Sequence, residues 1–274
     1  MSARPLVLFT DFGSTDFYAG IMRAVLAAGS PTSPVMDLHH DIPAHDIDAA
    51  SFVLARAFAY LPKDAVVVAV VDPGVGTGRR GLIITIGERT IVGPDNGLTS
   101  DLLVSAPLFS IARFVAIEES MAQQVTGIQA RGGTFHGRDI FAPVAAAIAL
   151  GTAPARFGKK TDGIVMLRDV PGVSLDGGVI RARGRYVDRF GNVMTDIPLD
   201  LVERVFGAIE HVRVSVAGRD AGPLRGTYAD GESGELIAIV NSWGLVEVAM
   251  NGGRAIVYLG NVPASSLRFE LRRE

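Results

Sequence analysis

The sequence predicts an α/β N-terminal domain with a mostly parallel sheet, followed by a smaller, mainly antiparallel β domain. Three observations carry that expectation. Short β-branched runs alternate with helical patterns through the first half of the chain, as they do when strands pair in parallel through helical crossovers. After about residue 160 the helical patterns nearly vanish, and short strands follow one another between Gly, Asn and Asp. The length, 274 residues, suits one large domain or two ordinary ones at roughly 100–200 residues each. The domains are read as 1–160 and 176–274, joined by a connecting segment over 161–175.

Leu6-Val-Leu-Phe9 reads as the first strand, and Phe17 to Ala28 as a helix with Ile21, Val25 and Leu26 on its apolar face. Val35-Met-Asp-Leu38 is a second strand. Asp46 can cap the next helix, whose apolar residues Phe52, Val53, Ala55, Phe58 and Ala59 suit one face, and Pro62 ends it. Val66 to Val71 is almost unbroken in β-branched residues, the mark of a strand covered on both faces. Leu82 to Ile86 and Thr90 to Val92 follow as strands, then a helix near Leu98 to Val104. A further helix is expected from Arg138 to Leu150, with Pro143 in its first turns. In the second half, Gly177-Gly178 introduces a strand over Val179 to Arg183. Further strands are expected near 211–216, 235–240, 245–248, 254–258 and 266–271, with one helix from Asp200 to Phe206.

Composition narrows the function class. Hydrophobic residues are 48% and charged residues 20%, which describes a globular chain. No apolar run approaches the ~20 residues of a membrane-spanning helix, and the opening Met1-Ser-Ala-Arg-Pro5 carries no secretory pattern. The expectation is a cytoplasmic protein without a membrane partner. Cysteine is absent, so disulfides, thiolate metal sites and cysteine nucleophiles are excluded. A formal net charge of −3 argues against nucleic acid as a partner.

In open α/β sheets ligands bind beyond the carboxyl ends of the strands. Thr10-Asp11-Phe-Gly-Ser-Thr-Asp16 follows the first strand and reads either as a turn with a helix cap at Asp16, or as two carboxylates facing a polyol or a cation. Val71-Asp72-Pro-Gly-Val-Gly-Thr-Gly-Arg79-Arg80 follows the buried strand. It lacks the Gly-Lys-Ser/Thr ending of a phosphate loop, and Asp72 reads either as half of a structural ion pair or as a reactive carboxylate oriented by a guanidinium. His136 sits between glycines just before a helix and reads either as a lone, non-catalytic histidine or as a site residue, since flanking glycines let backbone and ligand approach closely. Asp37, His39, His40 and Asp41 with His45, Asp46 and Asp48 invite a metal reading, a metal hydrolase on Asp11, Asp37, His40 and His45 being its extreme form; a helix cap at Asp46 and polar packing at a strand end are the plainer account. Adjacent residues on a strand point to opposite faces, so His39 and His40 are poorly placed to share one ion, and no metal site is assigned. In the second domain, Tyr186 to Ile197 and Val240 to Gly253 each set an aromatic beside small polar groups at a strand end. Phe190-Gly-Asn192 is either a hairpin turn or a base-stacking site with an amide reading ring edges.

Together Thr10-Asp-Phe-Gly13, Val71-Asp-Pro-Gly-Val-Gly-Thr77, Gly93-Pro-Asp-Asn-Gly97, Thr134-Phe-His-Gly-Arg-Asp139, Asp188-Arg-Phe-Gly-Asn192 and Asn241-Ser-Trp-Gly244 resemble the S-adenosyl-L-methionine hydroxide adenosyltransferase family, relatives of the fluorinase and chlorinase enzymes. The resemblance implies cleavage of S-adenosyl-L-methionine by water to adenosine and L-methionine, with no cofactor. It also implies a homotrimer whose active sites lie between one subunit's first domain and its neighbour's second. The family's Asp-Arg-His triad falls on Asp72, Arg79 and His136. In fluorinase-like members a tyrosine stands at the position of Asp72 and a Tyr-Ser pair at His136-Gly137, so this chain sides with the users of hydroxide. Substrate positions carried over are Asp11 for the ribose, and Asp16, Asp188 and Ser242 for the methionine end. Asn192, Glu247 and the backbone of Met250 would surround the nucleoside, with Phe190 and Trp243 as packing surfaces. Arg80, next to Arg79, makes the choice of arginine depend on the spacing from Asp72. A non-catalytic protein that binds adenosine or S-adenosyl-L-methionine in the same pocket is the alternative.

The chemistry suits those residue types. Displacement at the ribose C5′ expels a neutral thioether, so no general acid is needed, but water must be made nucleophilic. Free hydroxide at pH 7 costs roughly 12 kcal/mol, from a water pKa of about 15.7 at ~1.36 kcal/mol per unit. One guanidinium at ~4 Å returns only ~4 kcal/mol at an effective dielectric near 20. A base that takes the proton during attack is the more economical route, and these residue types leave open whether Asp72 or His136 is that base.

Overall fold

The structure, a computed structural model, describes residues 3–104, 108–129, 132–168, 170 and 172–274. The chain divides into two compact units, Met1–Arg168 and Asp169–Glu274. Within the expected connecting segment, residues 169 and 171 lie outside the described residues.

The first unit is built on strands β1 (Leu6–Thr10), β2 (Val35–His39), β3 (Val66–Val70), β4 (Gly81–Ile86), β5 (Arg89–Pro94), β6 (Arg113–Ile117) and β7 (Gly158–Lys160). They form one sheet in the order β2-β1-β3-β5-β4-β6-β7. The β2, β1, β3 and β5 strands run parallel, and every pairing from β5 outward is antiparallel. The sheet is therefore mixed, which corrects the expectation of a mostly parallel one. Gly87-Glu88 is all that separates β4 from β5, Gly87 has φ +60°, and Ile86 pairs with Arg89. A two-residue link joins only antiparallel neighbours, and its left-handed position suits glycine.

Alternation explains why this sheet is buried on both sides. Leu6, Leu8, Val66, Val68 and Val70 enter one core, while Val7, Phe9, Val67, Ala69 and Val71 enter the other. Each fully buried aliphatic side chain is worth about 1.5–3 kcal/mol. Helices α1 (Tyr18–Gly29), α2 (Ile47–Ala57), α3 (Ser100–Val104), α4 (Leu108–Ile111), α5 (Glu119–Thr126) and α6 (Ala142–Ala149) belong to the same unit. Asp46 caps α2, its Oδ1 accepting from the Ala49 N–H at 2.9 Å. The helix expected over 138–150 is α6 preceded by a π-helical turn, Gly137–Phe141.

The second unit holds β8 (Ser174–Asp176), β9 (Val179–Val187), β10 (Val193–Pro198), β11 (Val212–Val216), β12 (Arg219–Arg225), β13 (Leu236–Val240), β14 (Leu245–Met250) and β15 (Arg268–Arg273), with α7 (Leu199–Phe206) and α8 (Ala255–Tyr258). The order is β10-β14-β13-β12-β11-β15-β9-β8, and a further pairing of β9 with β10 closes the seven strands β9 to β15 into a barrel. All pairings are antiparallel except β12 with β13. Closure removes the free edges that an open antiparallel sheet exposes. The barrel core is aliphatic around Val193, Val214, Val246, Val248 and Phe269. It also contains a buried ion pair, Arg185 to Asp196 at 2.6 Å. The strand expected at 254–258 is instead α8: Ala255, Ile256 and Leu259 are buried while Val257 and Tyr258 face solvent, a helical rather than an alternating pattern. Among the described residues no helix is long and apolar enough to cross a membrane.

Candidate active site

Because β1 and β3 are parallel neighbours, their carboxyl ends reach the same edge of the sheet, carrying Asp11 from one and Asp72 from the other. β3 is buried along its whole length, so Asp72 stands where the chain leaves the core, its side chain 6% exposed. The Arg79 guanidinium grips it in a fork: Nε donates to Oδ1 at 2.8 Å and Nη2 donates to Oδ2. The same Nη2 lies 3.1 Å from His136 Nδ1. A guanidinium only donates, so Nδ1 is the acceptor and the ring proton sits on Nε2. The Arg79 guanidinium also faces the Phe141 ring at 5.2 Å. One side chain thus holds a carboxylate and an imidazole drawn from separate parts of the chain.

Gly76 makes that meeting possible. Its φ is +78°, and a Cβ there would stand 2.8 Å from the Gly133 carbonyl oxygen. The loop after β3 and the loop before His136 touch backbone to backbone, which any side chain at 76 would prevent.

The neighbouring arginine has a different task. Arg80 pairs with the buried Asp95 and donates to the Gly163 carbonyl at 2.7 Å. Asp95 Oδ1 accepts from the Val165 N–H at 2.8 Å, and Asn96 Nδ2 donates to the Val71 carbonyl at 2.8 Å. The Gly93–Gly97 motif therefore fastens the end of β3 and engages Arg80, which leaves Arg79 for Asp72.

A cavity of about 290 Å³ lies beside this cluster, lined by Asp11, Asp16, Tyr18, His45, Asp72 and His136 among others. Asp11 Oδ2 accepts from the His45 N–H at 2.9 Å. His45 has φ +66°, a conformation costly for a residue with a side chain and often kept at functional sites. Asp16 is not the cap of α1, as one reading had it: Phe17 occupies that position without a side-chain bond, and Asp16 faces the cavity. Tyr18, Phe12 and Phe135 form an aromatic group at the same place, with the Phe135 ring centroid 5.6 Å from each of the other two. Sequence reasoning passed over Tyr18, whose one available signal was its position beside the Thr10–Asp16 motif, and considered His45 only as a metal ligand.

The histidine-rich stretch is otherwise engaged. His40 Nδ1 lies 2.8 Å from Thr10 Oγ1. Its Nε2 is 3.1 Å from Asp37 Oδ1, out of hydrogen-bonding alignment. Asp37 also pairs with Arg23. Burial holds both His39 and His40 below the usual imidazole pKa. Among the described residues no three His, Asp or Glu side chains are grouped to hold a metal ion.

In the second unit the predicted residues gather around two hairpins. Asp188 accepts twice from Asn192, from its N–H at 2.9 Å and from Nδ2 at 3.1 Å. Phe190 stands 73% exposed at the tip of the β9–β10 turn. Ser242 and Trp243 are exposed in the β13–β14 turn, where the Trp243 N–H donates to Asn241 Oδ1 at 3.0 Å. Glu247 is buried on β14, and Met250 ends that strand half-buried. Glu247 accepts from the Tyr228 hydroxyl at 2.8 Å and from Asn241 Nδ2 at 3.1 Å. Burial raises its pKa above the usual glutamate value despite those two donors. Tyr228 was not expected; it sits outside every motif.

The chain matches two family models: SAM hydroxide adenosyltransferase N-terminal domain over residues 6–158 and SAM hydroxide adenosyltransferase C-terminal domain over residues 185–268. It is 38% identical to an (R)-S-adenosyl-L-methionine hydrolase of Salinispora tropica over 98% of both chains. It is 39% identical to the protein of that name from Thermus thermophilus, over 94% of this chain and 96% of the other. Among solved structures, an uncharacterized conserved protein from Thermotoga maritima superposes with a TM-score of 0.85 at 30% identity, covering 98% of this chain and all of that one.

Proposed function

The chain belongs to the S-adenosyl-L-methionine hydroxide adenosyltransferase family, and we infer from that membership and its own geometry that it hydrolyses S-adenosyl-L-methionine to adenosine and L-methionine. The observation that carries the reading within this chain is the single Arg79 guanidinium shared by Asp72 and His136 beside a cavity.

Asp72 is assigned as the base. Arg79 occupies Nδ1 of His136, and Nε2 already carries the ring proton, so the imidazole has no free lone pair for a second one. A carboxylate keeps unused lone pairs even when both oxygens accept from a guanidinium. As the water oxygen bonds to C5′, its proton passes to Asp72. The C5′–S bond breaks with its electron pair going to sulfur, and the sulfonium becomes the thioether of methionine. His136 Nε2–H serves as a donor that fixes the water, and Arg79 sets the orientation of both partners. Positioning and general-base assistance divide the work: the first can reach ~7–11 kcal/mol, the second typically ~10²–10⁴-fold.

Asp11, Asp16, Asp188, Asn192, Ser242, Trp243, Glu247 and the Met250 backbone are proposed to bind the substrate, with Phe190 as a further packing surface. The cavity of the first unit, about 290 Å³, is at the small end for ligand sites, which supports a site completed by further residues. The proposal includes a cytoplasmic homotrimer with each site shared by two subunits. Hydrolysis in ¹⁸O-water tests the central step: label should appear in the adenosine 5′-hydroxyl, and unlabelled adenosine or no turnover would reject it.

A further inference from the structure

One polar network in the second unit has a fixed direction. Both oxygens of Asp188 accept from Asn192, so the Asn192 atom 3.1 Å from Oδ2 must be the amide nitrogen and not the oxygen. That nitrogen also lies 3.4 Å from the Tyr228 hydroxyl, which itself donates to Glu247 Oε1 at 2.8 Å. Glu247 Oε2 takes its bond from Asn241 Nδ2, and Asn241 Oδ1 is held by the Trp243 and Leu245 N–H groups at 3.0 and 3.1 Å. Donation therefore runs from Asn192 through Tyr228 to a carboxylate that is 1% exposed. Both amide hydrogens of Asn192 are spent, and among the described residues nothing donates to its Oδ1.

We propose that Tyr228 is a positioning residue for the nucleoside end of the site. Its hydroxyl ties Glu247 to Asn192, so that Asn192 offers only a carbonyl oxygen and the site prefers a purine with an amino group to one with an oxo group. This rests on the reading that Asn192 and Glu247 surround the nucleoside. An exocyclic amino group would donate to that oxygen, whereas a 6-oxo purine would set oxygen against oxygen. Polar mismatch of this kind discriminates far more strongly than a change of size. Burial and the Glu247 carboxylate raise the phenol pKa, which keeps Tyr228 a donor across the working range.

The charge on Glu247 anchors the network. The groups that face it are Tyr228, Asn241, Asn192 and Asp188. Removing the hydroxyl withdraws a bond from the ionised form, so the carboxyl titrates at higher pH and the network fails earlier on acidification.

The test measures adenosine and inosine binding by calorimetry on the full chain from pH 8 to 5, alongside KM and kcat for S-adenosyl-L-methionine. Tyr228→Phe should weaken adenosine on the order of tenfold, the scale of one hydrogen bond to a charged group. It should also narrow the adenosine-over-inosine preference, move the acid limb of binding upward, and raise KM more than it lowers kcat. Glu247→Gln should relax the same preference and erase the acid limb, which gives a second measurement whatever the stability of Tyr228→Phe. Unchanged discrimination and an unchanged acid limb in folded Tyr228→Phe overturn the proposal. So does an equal loss of both nucleosides in Glu247→Gln. Asn192→Ala separates the two levels. If it leaves adenosine affinity intact, the placement of the nucleoside is wrong; if it weakens adenosine while Tyr228→Phe does not, only the role of Tyr228 falls.

Discussion

Replacing Arg79 by lysine keeps a positive charge near Asp72 but removes the planar fork. The guanidinium makes two hydrogen bonds to Asp72 and one to His136 at 3.1 Å, alongside one to the Arg80 carbonyl at 3.2 Å. A single ammonium on a flexible stem can keep one carboxylate contact and cannot reproduce the shared grip. The loss is then one bond to a charged group, about 1.5–3 kcal/mol, and one bond to a neutral imidazole, about 1 kcal/mol. If both act chiefly in the transition state, kcat falls by about 10²–10³ at ~1.36 kcal/mol per tenfold, with KM little changed. Stability should hold, because Asp72 retains a cation. Arg79→Ala differs: it strands a carboxylate 6% exposed, which typically costs about 3–5 kcal/mol. Initial rates of adenosine release at saturating substrate, with a melting curve on each variant, read both effects. An Arg79→Lys enzyme within about fivefold of the parent kcat would refute the idea that the fork, rather than the charge, is what catalysis needs.

Gly76→Ala should cost about 1–2 kcal/mol from its left-handed φ alone and lower kcat by separating the two loops, whereas Gly133→Ala, whose Cβ would meet nothing nearer than Gly76 Cα at 4.0 Å, should be mild. Equal melting temperatures for the two would contradict the close-approach argument. Mixing inactive Asp72→Ala with inactive Ser242→Ala should restore partial activity after subunit exchange if sites are shared; silence in verified mixed assemblies would place each site within one chain. The imidazoles of His39 and His40 have folded-state pKa values depressed by burial, so the unfolded chain binds more protons. Their contribution is present above about pH 6.5 and is lost as pH falls through the folded values. The melting temperature should therefore drop on acidification from pH 7 to 5, and less steeply in His40→Gln; identical slopes would remove His40 from the account.

Much of the fold could be read from local pattern. Val66 to Val71 announced a doubly covered strand because each of its faces meets its own core, and Asp46 announced a helix start because its carboxylate satisfies a free N–H. Direction was harder to read. A hairpin and a crossover look alike unless the two residues at Gly87-Glu88 are weighed as a link, and β12 hid behind Gly222 and Pro223, which ordinarily argue against a strand. Residues 254–258 misled because a short apolar run has no period of its own. At the candidate site the motifs brought Asp72, Arg79 and His136 to notice, but adjacency in sequence could not divide Arg79 from Arg80; only the location of Asp95 does that. Tyr228 was invisible because a lone tyrosine gives no pattern, and its partners lie 19 and 36 positions away.

The pairing of consecutive arginines with two different carboxylates constrains this loop in an unusual way. Surface loops ordinarily absorb insertions and deletions better than the elements they connect. Between Asp72 and Arg80 the tolerance is reversed. A deletion would carry Arg80 into the place of Arg79 and leave Asp95, whose side chain is 2% exposed, without its cation. An insertion would bring Gly78 there and leave Asp72 facing no side chain at all. Apart from Gly76, substitutions at exposed positions inside the loop leave that register intact, so spacing is what this segment holds constant: one residue lost would cost the fastening at the end of β3, and one residue gained would cost the reaction.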